Sequence, residues 1–120
     1  MPILDIELVG PVPDDVRRGL ARRIADAAGS ALNAEPGGTW VKLRWVPEED
    51  YAESGGAPPG VRPVFVSVLA GSPPEGDARA EQIRRLTRAV AEACGRPPAN
   101  THVVYEPAAR GRIAFGERMP

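Results

Sequence analysis

What this 120-residue sequence has least of narrows its function first. It holds one cysteine, Cys94, and one histidine, His102. A lone cysteine excludes an internal disulfide and fits a reducing compartment. One His with one Cys leaves no plausible zinc ligand set, so no metal is expected. Fifteen Lys and Arg face sixteen Asp and Glu, a formal charge of -1 with a pI near 5.8. The basic excess that marks partners such as nucleic acid or anionic lipid is therefore missing. No apolar run reaches the roughly 18 residues of a membrane span, and no basic segment leads into an apolar one at the start. A single cytoplasmic domain is the expectation, with a core modest enough to gain from oligomerisation.

Glycine and proline, by contrast, are abundant at 13 and 14 residues. They cluster as punctuation in "VGPVPDD", "AEPGG", "ESGGAPPG", "AGSPPEG" and "GRPPAN". Between these marks lie six segments. Residues 3–9, "ILDIELV", and 64–70, "VFVSVLA", read as strands, each headed by a proline, Pro2 or Pro63. A helix follows each. In the first, Val16, Leu20, Ile24, Ala27, Ala28, Ala31 and Leu32 recur at helical spacing behind a cap at Asp14 or Asp15. In the second, Ile83, Leu86, Val90, Ala93 and Cys94 do the same. "ADAAG" (25–29) lines up with "AEACG" (91–95), which sets Gly29 and Gly95 near corresponding turns. A further strand follows each helix, "TWVKLRWVP" from Thr39 and "THVVYEP" from Thr101.

The pattern is β-α-β twice, with pseudo-repeats 2–61 and 62–120 inside one domain. It predicts an α+β fold: a four-stranded sheet, parallel within each half, with both helices on one face. The other face, carrying residues such as Ile3, Val64, Phe65 and Val66, then needs cover from neighbouring subunits. A homo-oligomer follows.

These residues carry a resemblance. The proline-headed first strand "MPILDIELV", the duplicated β-α-β, "WVPEEDYAESGG" and "GRIAFG" together resemble the tautomerase superfamily, which includes 4-oxalocrotonate tautomerase, 5-carboxymethyl-2-hydroxymuconate isomerase and macrophage migration inhibitory factor. The resemblance implies a homotrimer of double units. It also implies a cofactor-independent enzyme whose proline, exposed by removal of Met1, is the catalytic base for a small, carboxylated substrate. The chemistry suits the residue. An α-amino group titrates near 7.7–8.0, and an apolar pocket or a nearby cation lowers that further. The neutral amine can take a proton from a carbon beside a carbonyl and return it elsewhere. Pro63, locked in a peptide bond after Arg62, cannot, and reads as a relic of duplication.

Substrate-binding candidates follow from the need for positive charge or donors at the developing enolate oxygen. Lys42 and Arg44 share one strand face, with Val41, Leu43 and Trp45 on the other. The resemblance sets Lys42 where relatives carry a substrate-binding arginine; the alternative is that both cations are simply solvated. Arg112 and Phe115 in the tail can bind a carboxylate across a subunit boundary and wall the proline, or pack an interface. Tyr105 can donate to an enolate oxygen. His102 and Cys94 read as structural.

Departures from the relatives narrow the chemistry. Val12 stands where they have another arginine, "LAGSPP" lacks the dehalogenase arginines, and Gly37 and Gly38 replace a decarboxylase aspartate. Tautomerisation therefore leads. Hydration, conjugate addition or imine chemistry at the same nitrogen, and a non-enzymatic binding protein, stand as alternatives.

Overall fold

The computed structural model describes residues 2–119. Strand β1 (Ile3–Val9) buries Leu4, Ile6 and Leu8 while Ile3, Asp5 and Glu7 stay partly exposed, the period of two that a pleated backbone imposes. Strands β2 (Trp40–Val46), β3 (Val64–Leu69) and β4 (Thr101–Tyr105) complete one sheet in the order β2-β1-β3-β4. β1 runs parallel to β2 and β3 parallel to β4, while β1 and β3 pair antiparallel at the centre. Parallel neighbours need crossovers, and helices supply them. α1 (Asp14–Arg17) and α2 (Leu20–Ala31) join β1 to β2, and α3 (Gly76–Cys94) joins β3 to β4.

The core lies between the helices and one sheet face. Leu20, Ile24 and Ala28 of α2 and Leu86, Val90 and Cys94 of α3 meet Leu4, Ile6, Leu8, Val64, Val66 and Val68. Each fully buried aliphatic side chain contributes about 1.5–3 kcal/mol relative to exposure.

Four expectations are corrected. Val64 and Val66 face the helices; the open face instead carries Ile3, Phe65, Ser67 and Leu69, with Trp40 46% and Val104 54% exposed. The first helix is broken, not continuous. Gly19 adopts φ +66°, which an L side chain resists, and Arg23 braces the break by donating to the carbonyls of Val16 and Arg18. The α1 cap is Pro13, with no side-chain cap from Asp14 or Asp15.

The fourth correction concerns the counterpart of Gly95. Gly29 is helical, within α2, whereas the left-handed residue that ends this helix is Asn33, at φ +54°. Gly95, at φ +65°, ends α3 in the same way. The next N–H closes an equivalent bond in each half: Ala34 to the Gly29 carbonyl at 2.8 Å and Arg96 to the Ala91 carbonyl at 3.0 Å. Asn33 and Gly95 are 62 residues apart (95 − 33), as are Thr39 and Thr101 (101 − 39), so the interval from helix end to strand start is the same in both halves.

Candidate functional site at the head of the first strand

The antiparallel centre of the sheet sends the two proline-headed strands in opposite directions. Ile3 pairs with Leu69 at one end, and Val9 donates to the Pro63 carbonyl at 3.1 Å at the other. Pro2 and Pro63 therefore head opposite ends of the sheet, about 20 Å apart at 3.3 Å per residue. Each end holds a cleft.

The Pro2 cleft, about 460 Å³, lies on the helix side. Leu32, Val68, Ala70, Pro73 and Pro74 give it apolar walls, and Glu35, Ser72 and Gln82 are its polar side chains. Pro2 is pinned by its carbonyl, which accepts from the Trp40 N–H at 3.1 Å. The rim is shaped by a tight turn in which the Gly38 N–H donates to the Glu35 carbonyl at 2.8 Å. A Cβ on Gly38 would stand 2.9 Å from that oxygen, so only glycine fits without a shift.

The Pro63 end is the structural counterpart, a smaller cleft of about 320 Å³ with the Arg96 side chain in its lining. Arg96, equivalent to Ala34, donates to the carbonyls of Val9 at 2.9 Å, Arg62 at 2.6 Å and Pro11 at 3.1 Å. Burial lowers its pKa, and these carbonyls compensate the guanidinium for lost water. Cys94 lines the same cleft, its thiol pushed up to about 11 by burial.

The expected site residues divide between the two sheet faces. Lys42 and Arg44 lie on the open face: Lys42 Nζ is 3.3 Å from Asp5 Oδ1, and Arg44 is 3.6 Å from Asp5 and 4.0 Å from Glu7. These carboxylates already neutralise both cations within the chain. The tail returns to the Pro2 end, because Ala109 donates to the Ala70 carbonyl and Phe115 meets Trp40 edge to face at 5.5 Å. Arg112 belongs to this tail, its guanidinium folded onto the carbonyls of Pro107 and Ala108. Tyr105 stands behind the cleft: it lines an adjoining one with Ser72 and Pro73, and its hydroxyl donates to Gln82. The removal of Met1 lies outside the described residues. Sequence reasoning missed Glu35, Ser72 and Gln82, which sit in two loops and an early turn of α3 and reach Pro2 only through the tertiary fold.

No protein-family model and no curated protein matches this sequence. Solved structures do. A fused 4-OT symmetric trimer superposes with a TM-score of 0.79 at 16% identity, over 98% of this chain and 94% of that one. The chain has the tautomerase fold. Pt0534 inactivated by 2-oxo-3-pentynoate shares the tautomerase architecture with a TM-score of 0.75 at 17% identity, over 98% and 94% of the two chains. Malonate semialdehyde decarboxylase, described with decarboxylase and hydratase activities, follows at 0.68 and 16%, over 95% and 90%. Within this tautomerase fold the groups of three or more His, Cys, Asp or Glu needed to hold a metal are absent among the described residues, as is any helix long and apolar enough to cross a membrane.

Proposed function

We propose that the protein is a cofactor-independent tautomerase that uses Pro2, once Met1 is removed, as its base and acid. The observation that carries the reading is Pro2 at the head of β1, lining an apolar cleft in a tautomerase fold. The neutral amine takes a proton from the carbon beside a carbonyl, and that electron pair forms the enol double bond as charge moves to oxygen. The ammonium then returns the proton to another atom, leaving the amine free again. Apolar walls favour this by disfavouring the charged amine.

The substrate we assign is a small carboxylate, met by Lys42, Arg44 or Arg112 where neighbouring copies complete the site. The exposed Trp40 and Val104, with Ile3, Phe65 and Leu69 beside them, support burial of the open face in a homotrimer, and the two β-α-β units support duplication with Pro63 as its relic. A second use of the nitrogen, hydration or imine formation, is favoured by Glu35, a carboxylate able to activate water within the cleft.

Intact mass of the purified protein, with ketonisation of phenylpyruvate and 2-hydroxymuconate by wild type and Pro2→Ala, tests the reading. Loss of Met1 with activity that collapses in Pro2→Ala is expected. A retained Met1, or activity indifferent to Pro2, overturns it. Borohydride trapping of an aldehyde on the terminal nitrogen separates imine chemistry from proton transfer.

A further inference from the structure

An enolate formed at Pro2 needs a donor inside the cleft, yet among the described residues no Lys, Arg or His lines it. Of its three polar side chains, Glu35 is an acceptor when ionised and would repel developing negative charge. Ser72 and Glu35 are both exposed, whereas Gln82 is half-buried. The Gln82 amide is also fixed. Its Oε1 accepts from the Tyr105 hydroxyl, so its oxygen is committed and both Nε2 protons remain to donate. Tyr105 is held in turn by the Arg79 guanidinium, 5.1 Å from its ring centre. Burial raises the Tyr105 pKa above 10, which keeps this hydroxyl a proton donor across the physiological range.

We propose that Gln82 is the donor to the enolate oxygen in the Pro2 cleft, and that Tyr105 is a positioning residue that aims the Gln82 amide. The assignment rests on the proline-base reading and deepens it. It also narrows the substrate: the group entering this cleft carries a carbonyl or enol oxygen on an otherwise apolar body, and any carboxylate it bears points away from Glu35. Neutral donors such as a carboxamide stabilise an oxyanion without binding the ground-state ketone tightly, so their loss falls mainly on kcat.

The test is steady-state ketonisation of phenylpyruvate and 2-hydroxymuconate by wild type, Pro2→Ala, Gln82→Leu, Gln82→Glu, Tyr105→Phe and the Gln82→Leu, Tyr105→Phe pair, with folding checked by circular dichroism. Gln82→Leu is expected to lower kcat about a hundredfold while KM stays within about threefold. Gln82→Glu keeps the acceptor for Tyr105 but loses both N–H donors. Its kcat relative to wild type is expected to recover as pH falls and the introduced carboxyl gains a proton to donate. Tyr105→Phe is expected to lower kcat about tenfold, and to lower it no further in the pair, because Tyr105 acts through Gln82. Pro2-dependent turnover that Gln82→Leu leaves unchanged, or a Gln82→Glu ratio flat with pH, overturns Gln82 alone. Full additivity in the pair overturns the positioning role of Tyr105. Wild-type protein that turns over neither probe overturns the proline-base reading and, with it, this assignment.

Discussion

Ala34 and Arg96 hold the same place in the two halves of the chain, each the residue after the left-handed helix end, and they treat the adjoining cleft in opposite ways. The Ala34 methyl leaves the cleft at Pro2 open; the Arg96 guanidinium spans three carbonyls at the Pro63 end. Exchanging the two side chains should therefore exchange their effects. Ala34→Arg is expected to fold normally and lower Pro2-dependent turnover at least about tenfold by filling the cleft. Arg96→Ala leaves the carbonyls of Val9, Arg62 and Pro11 without their donor and is expected to cost about 2–4 kcal/mol in urea unfolding, with turnover at Pro2 retained.

Gly38 is a steric requirement of the cleft rim. Gly38→Ala puts a methyl carbon 2.9 Å from the Glu35 carbonyl, which is backbone and cannot swing aside. A loss of about 1–3 kcal/mol by thermal or urea unfolding is expected, together with lower turnover, since the turn that shapes the rim beside Pro2 is displaced.

Lys42 and Arg44 offer a clean separation of stability from binding. Their side chains are 63% and 59% exposed, and exposed ion pairs contribute about 0–1 kcal/mol. Lys42→Ala and Arg44→Ala are thus expected to leave the unfolding midpoint within that range. If either binds the substrate carboxylate, KM for 2-hydroxymuconate should rise about tenfold with kcat little changed, and Arg44→Lys should recover only part of it, because an ammonium lacks the planar fork. Unchanged KM in both variants assigns the carboxylate elsewhere.

Cys94 predicts a pH dependence. Its folded thiol lies at about 11 against an ordinary value of 9.0, because burial penalises the thiolate. The raised folded value means the contribution is complete below about pH 9 and is lost as pH rises from there through 11. Urea unfolding of wild type and Cys94→Ala across that window should converge by up to about 3 kcal/mol as pH rises. Parallel curves would remove the thiol as the cause.

The strands were legible because alternation and proline punctuation both mark them. The reading 3–9 for the first strand and a start at Thr101 for the fourth coincide with the structure. The break at Gly19 was not legible: Val16, Leu20 and Ile24 keep helical spacing across it, and apolar periodicity does not register one backbone angle. Gly29 resembles Gly95 in its sequence surroundings, while the left-handed conformation belongs to Asn33, whose short polar side chain tolerates it. The faces of Val64 and Val66 are hard to read from sequence because Ser67 is the one polar residue in an otherwise apolar strand. At the site, Pro2 could be read from position and chemistry. Gln82 could not, because one amide on a helix means little until Tyr105 and the cleft lie against it.

The opposed directions of β1 and β3 carry a practical consequence. They give one small protein two ends of matched architecture but unlike chemistry, with Cys94 seated at the end remote from Pro2. A thiol-reactive label there would report each transient opening of the fold, measured on the same molecules whose turnover is followed at the far end. The labelling rate times the opening of the fold, and turnover before labelling times catalysis, at two separate ends of one chain.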